Sequence, residues 1–170
     1  MTGASRVRPL TPADHDEVFA VLADDGGFSQ RVEGHAATPE DTLGLLHPQE
    51  VHGRTTHPLG LFTGTSCVAV ADVLVGWPEP GTADVGLLQV RAAETGRGHG
   101  RRLHEAVVDH ARHAGCSTLR LTVVAPNLAH AQGFWASLGY RLTGEVRPWA
   151  NAAGQQVDAH IMTRPLDPAG

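Results

Sequence analysis

Thr95-Gly96-Arg97-Gly98-His99-Gly100-Arg101-Arg102-Leu103 carries three glycines at alternating positions between two periodic segments. Before it, Asp84 to Val90 reads as a strand. After it, the segment from about 98 to 114 places Leu103, Ala106, Val107, Ala111 and Ala114 on one helical face. A glycine-rich turn that feeds a helix N-terminus aims several unpaired backbone N–H groups in one direction. Without a Cβ in the way, an anion can approach that backbone closely. The stretch therefore predicts an anion site, and a pyrophosphate is the ligand that fits it. Two common phosphate loops do not match. The P-loop needs a lysine, and all 13 basic residues here are arginine. The dinucleotide fingerprint needs a further glycine at 101 or 103, where the chain has Arg101 and Leu103.

Working outward, the rest of the chain alternates strand and helix signals. Arg6 to Pro9 reads as a short strand. Thr11-Pro-Ala-Asp14 and Thr38-Pro-Glu-Asp41 are two copies of one helix start: a threonine cap, proline in the first turn, and an acid near the positive end. Val18, Val21 and Leu22 follow the first, and Leu43, Leu45 and Leu46 the second. Phe28 to Ala37 reads as a polar loop, and residues 47 to 57, with Pro48, Gly53 and three histidines, as another. Pro58 to Thr63 and Ser66 to Val75 form a hairpin around Gly64-Thr65. Gly115 stops the long helix, Leu119 to Val124 alternates as a strand, and Asn127 to Leu138 is the last helix. Tyr140 to Pro148 and Gln156 to Arg164 are two closing strands.

Two blocks in this order resemble the GNAT superfamily of acetyl-CoA-dependent N-acetyltransferases. Thr95-Gly-Arg-Gly98-His-Gly100 is similar to that family's pyrophosphate motif, Gln/Arg-x-x-Gly-x-Gly/Ala, with Thr95 replacing the first residue. Asn127 through Phe134-Trp135-Ala-Ser-Leu-Gly139-Tyr140 is similar to its asparagine-opened helix ending in aromatic-x-x-x-Gly-Phe/Tyr. The resemblance is firm from about residue 66 to 163. It implies a single α/β domain over 1–170, with ends at 1–5 and 167–170 expected to fray. The sheet would be mixed and strongly twisted, with six or seven strands and about four helices.

The resemblance also implies a site. Backbone N–H groups of Gly96, Arg97, Gly98, His99, Gly100 and Arg101 would hold the pyrophosphate of acetyl-CoA. The backbone of Leu88, Gln89 and Val90 would pair with the extended pantetheine, as an added strand would. Asn127 would bond near the pantetheine or cap its helix. Arg97 or Arg101 could add a charge-assisted phosphate contact; at a positive helix end an arginine otherwise opposes the dipole. An amine must lose a proton before attacking a thioester. Asp84, six residues before Val90, matches the place of the base in one branch of the superfamily; an ordinary strand acid is the alternative. Glu79 and Asp158 are further candidates. The tyrosine that protonates the leaving thiolate in many members falls here on Trp135, which donates a hydrogen bond but is no acid. Trp135 is expected beside the cofactor or in the core. The first helices and the last hairpin would shape the acceptor pocket.

The acceptor is expected to be an amine of a small molecule or peptide, with cationic amines favoured by a formal net charge of −5. That charge also argues against a nucleic-acid partner. No stretch has the apolar length of a membrane span, and the N-terminus lacks a signal-peptide core. Cys67 and Cys116 have no metal spacing and read as reduced, which implies the cytoplasm. Eleven histidines raise the question of a metal, but only His110 and His113 share a helix turn, and no metal is expected. His99 could tune phosphate binding by protonation. A homodimer is compatible with the resemblance. Other acyl donors, an oxygen acceptor, or a non-catalytic acyl-CoA sensor remain open readings.

Overall fold

Two apolar clusters, one on each face of a single sheet, organise the chain. The computed structural model describes residues 3–47 and 50–167. The strands are β1 (Ser5–Pro9), β2 (Glu50–Val51), β3 (Arg54–Thr63), β4 (Ser66–Val75), β5 (Thr82–Val90), β6 (Thr118–Val124), β7 (Arg141–Ala150) and β8 (Gln156–Pro165). They run in the order β1-β3-β4-β5-β6-β8-β7, with β2 attached to β3. All neighbours are antiparallel except β5 and β6. The mixed sheet is the one expected.

Five α-helices cover it: α1 (His15–Ala23), α2 (Phe28–Glu33), α3 (Pro39–Leu46), α4 (His99–His113) and α5 (Ala125–Ser137). Val18, Val21 and Leu22 of α1 and Leu45 and Leu46 of α3 pack against Phe62, Cys67 and Val70. On the other face Leu103, Val107 and Ala111 of α4 and Trp135 of α5 pack against Ala71, Val73, Val85, Leu119 and Leu121. Strand alternation sends Val70 one way and Ala71 the other, so β4 feeds both clusters. Each buried leucine, such as Leu61, Leu103 or Leu119, contributes ~2 kcal/mol of apolar transfer.

Both threonine starts form capping boxes. Asp41 accepts from the Thr38 N–H at 2.7 Å while Thr38 Oγ1 accepts from the Asp41 N–H at 3.3 Å. At Thr11 the first turn is a short 3-10 stretch, Pro12–Asp14, and Arg8 adds a bidentate pair to Asp14 at 2.7 and 2.9 Å. That pair holds the Asp14 carboxyl down to about 2.

Four expectations change. Phe28 to Ala37 is not all loop: α2 forms there. The Asp25 carboxylate accepts from the Gly27 and Ser29 N–H groups at 2.8 Å each, and left-handed Gly27 and Gly34 bracket the helix. Residues 50–57 are strand, with β2 and β3 turning at His52-Gly53, while Pro48 and Gln49 lie outside the described residues. Ser5, expected to fray, pairs with Thr63 in β1; residues 1–2 and 168–170 lie outside the described residues. Asn127 does not cap α5, which starts at Ala125 with proline in its first turn.

Candidate active site

The register between β5 and β6 is short. It covers Thr82↔Thr118, Ala83↔Leu119 and Asp84↔Arg120, and stops there. Beyond Asp84, β5 still pairs with β4 as far as Val90, and β6 still pairs with β8 as far as Val124. The two strands therefore part in the middle of the sheet, and residues 85–90 keep one edge of backbone groups without a strand partner. A bulge marks the parting: Val85 faces Val73 and Leu87 faces Asp72, so Gly86 is an extra residue in β5.

A cleft of about 300 Å³ opens through this gap. Val85 to Val90 of β5 form one wall, Leu121 to Val124 of β6 the other, and Asn127, His130, Phe134 and Trp135 of α5 its side; α2 adds Phe28, Arg31 and Val32. Leu88, Gln89, Val90, Thr95, Asn127 and Trp135 all line this cleft. Gln89 turns its side chain to α1, where Nε2 donates to the Val21 carbonyl at 2.8 Å. Only its backbone is offered to the cleft edge.

At the end of β5 the chain enters the glycine turn. Asp24, at the end of α1, fixes its start: the Asp24 carbonyl accepts from the Ala92 N–H at 2.7 Å, and its carboxylate accepts from the Ala93 N–H at 3.1 Å. Gly96 and Gly98 have φ of +76° and +82°, and a Cβ on either would meet nothing within 4 Å. Their requirement is conformational. Gly100 is different. It is buried, and a Cβ there would stand 3.1 Å from Phe134 Cζ and 3.3 Å from Val90 Cγ2. The third glycine lets α4 sit against the cleft wall.

Gly98 caps α4, whose first residue is His99. The helix presents its free N–H groups at the end of the cleft wall. Arg97 Nη1 lies 3.0 Å and His99 Nε2 3.6 Å from one oxygen of Glu94. Arg101 is exposed at the helix start. Thr95 Oγ1 donates to the Ala92 carbonyl at 2.9 Å, so the replacement of the usual first residue shapes the turn.

Trp135 is in the core and also at the cleft. It is 8% exposed within the α4 cluster and also forms cleft wall. Phe134 and Tyr140 meet its ring edge-on at 5.1 Å each. Behind it, His104 and the Tyr140 hydroxyl lie 2.8 Å apart, and burial pushes the His104 imidazole down to about 4. Neither Tyr140 nor His104 lines the cleft.

Asn127 Oδ1 accepts from Arg31 Nε at 2.9 Å, and Arg31 Nη1 donates to the Gly26 carbonyl at 3.0 Å. The Glu33 carbonyl accepts from the Ala153 N–H at 3.2 Å, in the turn between β7 and β8. Thus α2 bridges α5 and the last hairpin across the cleft. Arg31 was not a sequence candidate, because 96 residues separate it from Asn127.

Asp84 sits on the β5–β6 pair below the gap and is not among the residues lining the cleft. Arg120 Nη1 donates to Asp84 Oδ1 at 2.6 Å. Burial pushes the Asp84 carboxyl up and Arg120 pulls it back in part. The guanidinium also stacks 4.7 Å from the Trp77 ring, which stacks on His52 at 5.0 Å. His110 meets His57 at 4.8 Å between ring centroids, and among the described residues no three His, Cys, Asp or Glu side chains gather as a metal set. Among the described residues no helix is long and apolar enough to cross a membrane.

The same architecture occurs in proteins of known family. Residues 20–140 match the model of the acetyltransferase (GNAT) family. The chain belongs to that family. An acetyltransferase from Thermus thermophilus is 25% identical, with a TM-score of 0.75 over 98% of this chain and 100% of that one. The ribosomal-protein-S18-alanine N-acetyltransferase from Escherichia coli is 22% identical, with a TM-score of 0.68 over 98% and 97%. PaiA N-acetyltransferase from Thermoplasma acidophilum, solved in complex with coenzyme A, is 14% identical, with a TM-score of 0.68 over 95% and 99%. A search of curated proteins found no match.

Proposed function

We propose that this protein transfers an acetyl group from acetyl-CoA to an amine of a small molecule or peptide, in a ternary complex. The observation that carries the reading is the parting of β5 from β6, an unpaired strand edge that leads into a glycine turn at a helix N-terminus. Pantetheine is an extended chain with two amides, and it pairs with the free edge at residues 85–90 as a strand would. Its pyrophosphate then reaches the N–H groups of Gly96 to Arg101, where the helix end favours negative charge. Arg97 moves from Glu94 to phosphate, a stronger anion, and Arg101 adds a second cation. A backbone N–H at Leu88 polarises the thioester oxygen, and holding both reactants in one cleft supplies much of the rate.

No tyrosine protonates the leaving thiolate. CoA departs as thiolate and takes its proton from water. A free thiol is the product to measure. The unpaired cysteines, Cys67 and Cys116, favour action in a reducing compartment such as the cytoplasm.

Two measurements test the reading. Acetyl-CoA at a hundred times its Kd should stabilise the fold by ~2.7 kcal/mol, seen as a raised Tm. An amine panel should then release free CoA thiol in steady state. No shift and no calorimetric heat with acetyl-CoA would sink the proposal. Binding without turnover would instead support an acyl-CoA sensor, the reading that Trp135 in the place of an acid favours.

A further inference from the structure

We propose that Asp72, and not Asp84, receives the proton of the attacking amine; this rests on the acetyl-transfer reading above. Asp72 lies in the middle of β4, on the face that carries α1 and α3. Val70, two residues before it, packs with α1, while Ala71 and Val73 pack with α4. Across the strand pair Asp72 faces Leu87, the residue after the Gly86 bulge. Leu87 packs against the α1 cluster and lines the cleft. Asp84 is on the same face, opposite Leu74, on the other side of the bulge. Neither carboxyl is among the residues that line the cleft: Asp84 is on β5 where it leaves β6, and Asp72 is one strand away on β4, against the cleft-lining Leu87.

Their company differs. Asp84 is bound to Arg120, which Trp77 holds in turn. Burial raises this carboxyl as well, but protonating it would strand the buried Arg120 guanidinium that it holds. Asp72 accepts one hydrogen bond, from its neighbour's Val73 N–H at 3.1 Å. Its strand neighbours are Pro58 and Leu87, neither of which is charged. The charged groups on this face include Asp84 and Arg120 toward β6, and Arg8, Asp14 and Glu17 toward the Cys67 end of β4. None of them contributes to the Asp72 shift, which burial causes against the Val73 N–H. Burial pushes this carboxyl up to about 6, the range a general base needs near neutral pH.

The step balances without a further reactant. The ammonium of the acceptor gives one proton to the Asp72 carboxylate through a water. The freed nitrogen lone pair forms the C–N bond to the thioester carbon. The nitrogen, cationic once it has attacked, gives its second proton to water; the C–S bond breaks with its electrons leaving on sulfur, and the thiolate takes a proton from solvent. Asp72 returns its proton to solvent.

The experiment measures thiol release by wild type, Asp72→Asn, Asp72→Glu and Asp84→Asn from pH 6 to 9.5, with acetyl-CoA affinity by calorimetry. Asp72→Asn should lower kcat at pH 7 by tenfold or more and leave acetyl-CoA affinity within twofold. Its deficit should shrink toward pH 9.5, where the free amine is populated without a base. Asp72→Glu should restore part of the rate. A pH-independent deficit, or none, overturns the proposal, as does a pH-dependent deficit in Asp84→Asn instead. A wild-type protein that binds acetyl-CoA and acetylates no amine overturns the transfer reading and this proposal together, and that result is distinct from the other two.

Discussion

Replacing Asp72 by asparagine should stabilise this protein at alkaline pH and do nothing at acid pH. The carboxyl rises from 3.8 to about 6 on folding, because burial disfavours its charge. A raised pKa means that between these values the native state binds more protons than the unfolded chain. Stability then falls as pH rises from about 4 through 6, and stays lowered above. The difference, 6 − 3.8, is about 2 units; at ~1.36 kcal/mol per unit it is worth ~3 kcal/mol of lost stability at pH 8. Asparagine keeps an oxygen for the Val73 N–H and carries no charge. For a domain of this size ~3 kcal/mol is ~6–12 °C in Tm. Calorimetric melts of both proteins at pH 4, 6 and 8 subtract every other titrating group. A Tm difference that is constant across pH, or that favours wild type at pH 8, would refute the reasoning. The same charge that destabilises the fold is the one assigned to the chemistry, the usual bargain at active sites.

Other outcomes follow from the same geometry. Asp84→Asn leaves Arg120 unpaired in a site where the two side chains are 16% and 10% exposed, and should cost ~3 kcal/mol in denaturant melts. Gly98→Ala forces a Cβ into left-handed backbone at φ +82°; it should cost ~1–2 kcal/mol and weaken acetyl-CoA affinity by calorimetry. Arg31→Ala and Asn127→Ala should be non-additive in melts by ~1 kcal/mol, since each removes the same hydrogen bond at 2.9 Å. Burial pushes the Cys67 thiol up to about 12, so iodoacetamide should label Cys67 in the unfolded chain and spare it in the native one.

Local chemistry is what the sequence displays well. Gly96 and Gly98 could be read as a turn because left-handed backbone selects glycine whatever surrounds it, and the capping threonines act within four residues. The meaning of Gly100 was hidden, since its constraint comes from Phe134, far along the chain. So was α2: six residues are too few for a helical period to show, and the Asp25 cap that starts it lies outside the helix. Asp84 could be placed by counting, but its capture by Arg120 depends on a parallel register that no local pattern encodes. Asp72 has no local signal either, being one polar residue in an apolar strand. Its importance rests on the Gly86 bulge, which brings Leu87 and not Gly86 opposite it.

The parted strands have a consequence for the protein's lifetime in a cell. An edge of open backbone groups inside a sheet is a place where stray strands can add and aggregation can begin. Whatever fills that edge in the folded state also draws the population toward the fold by mass action. With acetyl-CoA as the occupant, a falling supply of the donor would both slow the reaction and leave more molecules open to proteolysis. The amount of this protein would then track the acyl pool on which it draws, with no separate regulatory site.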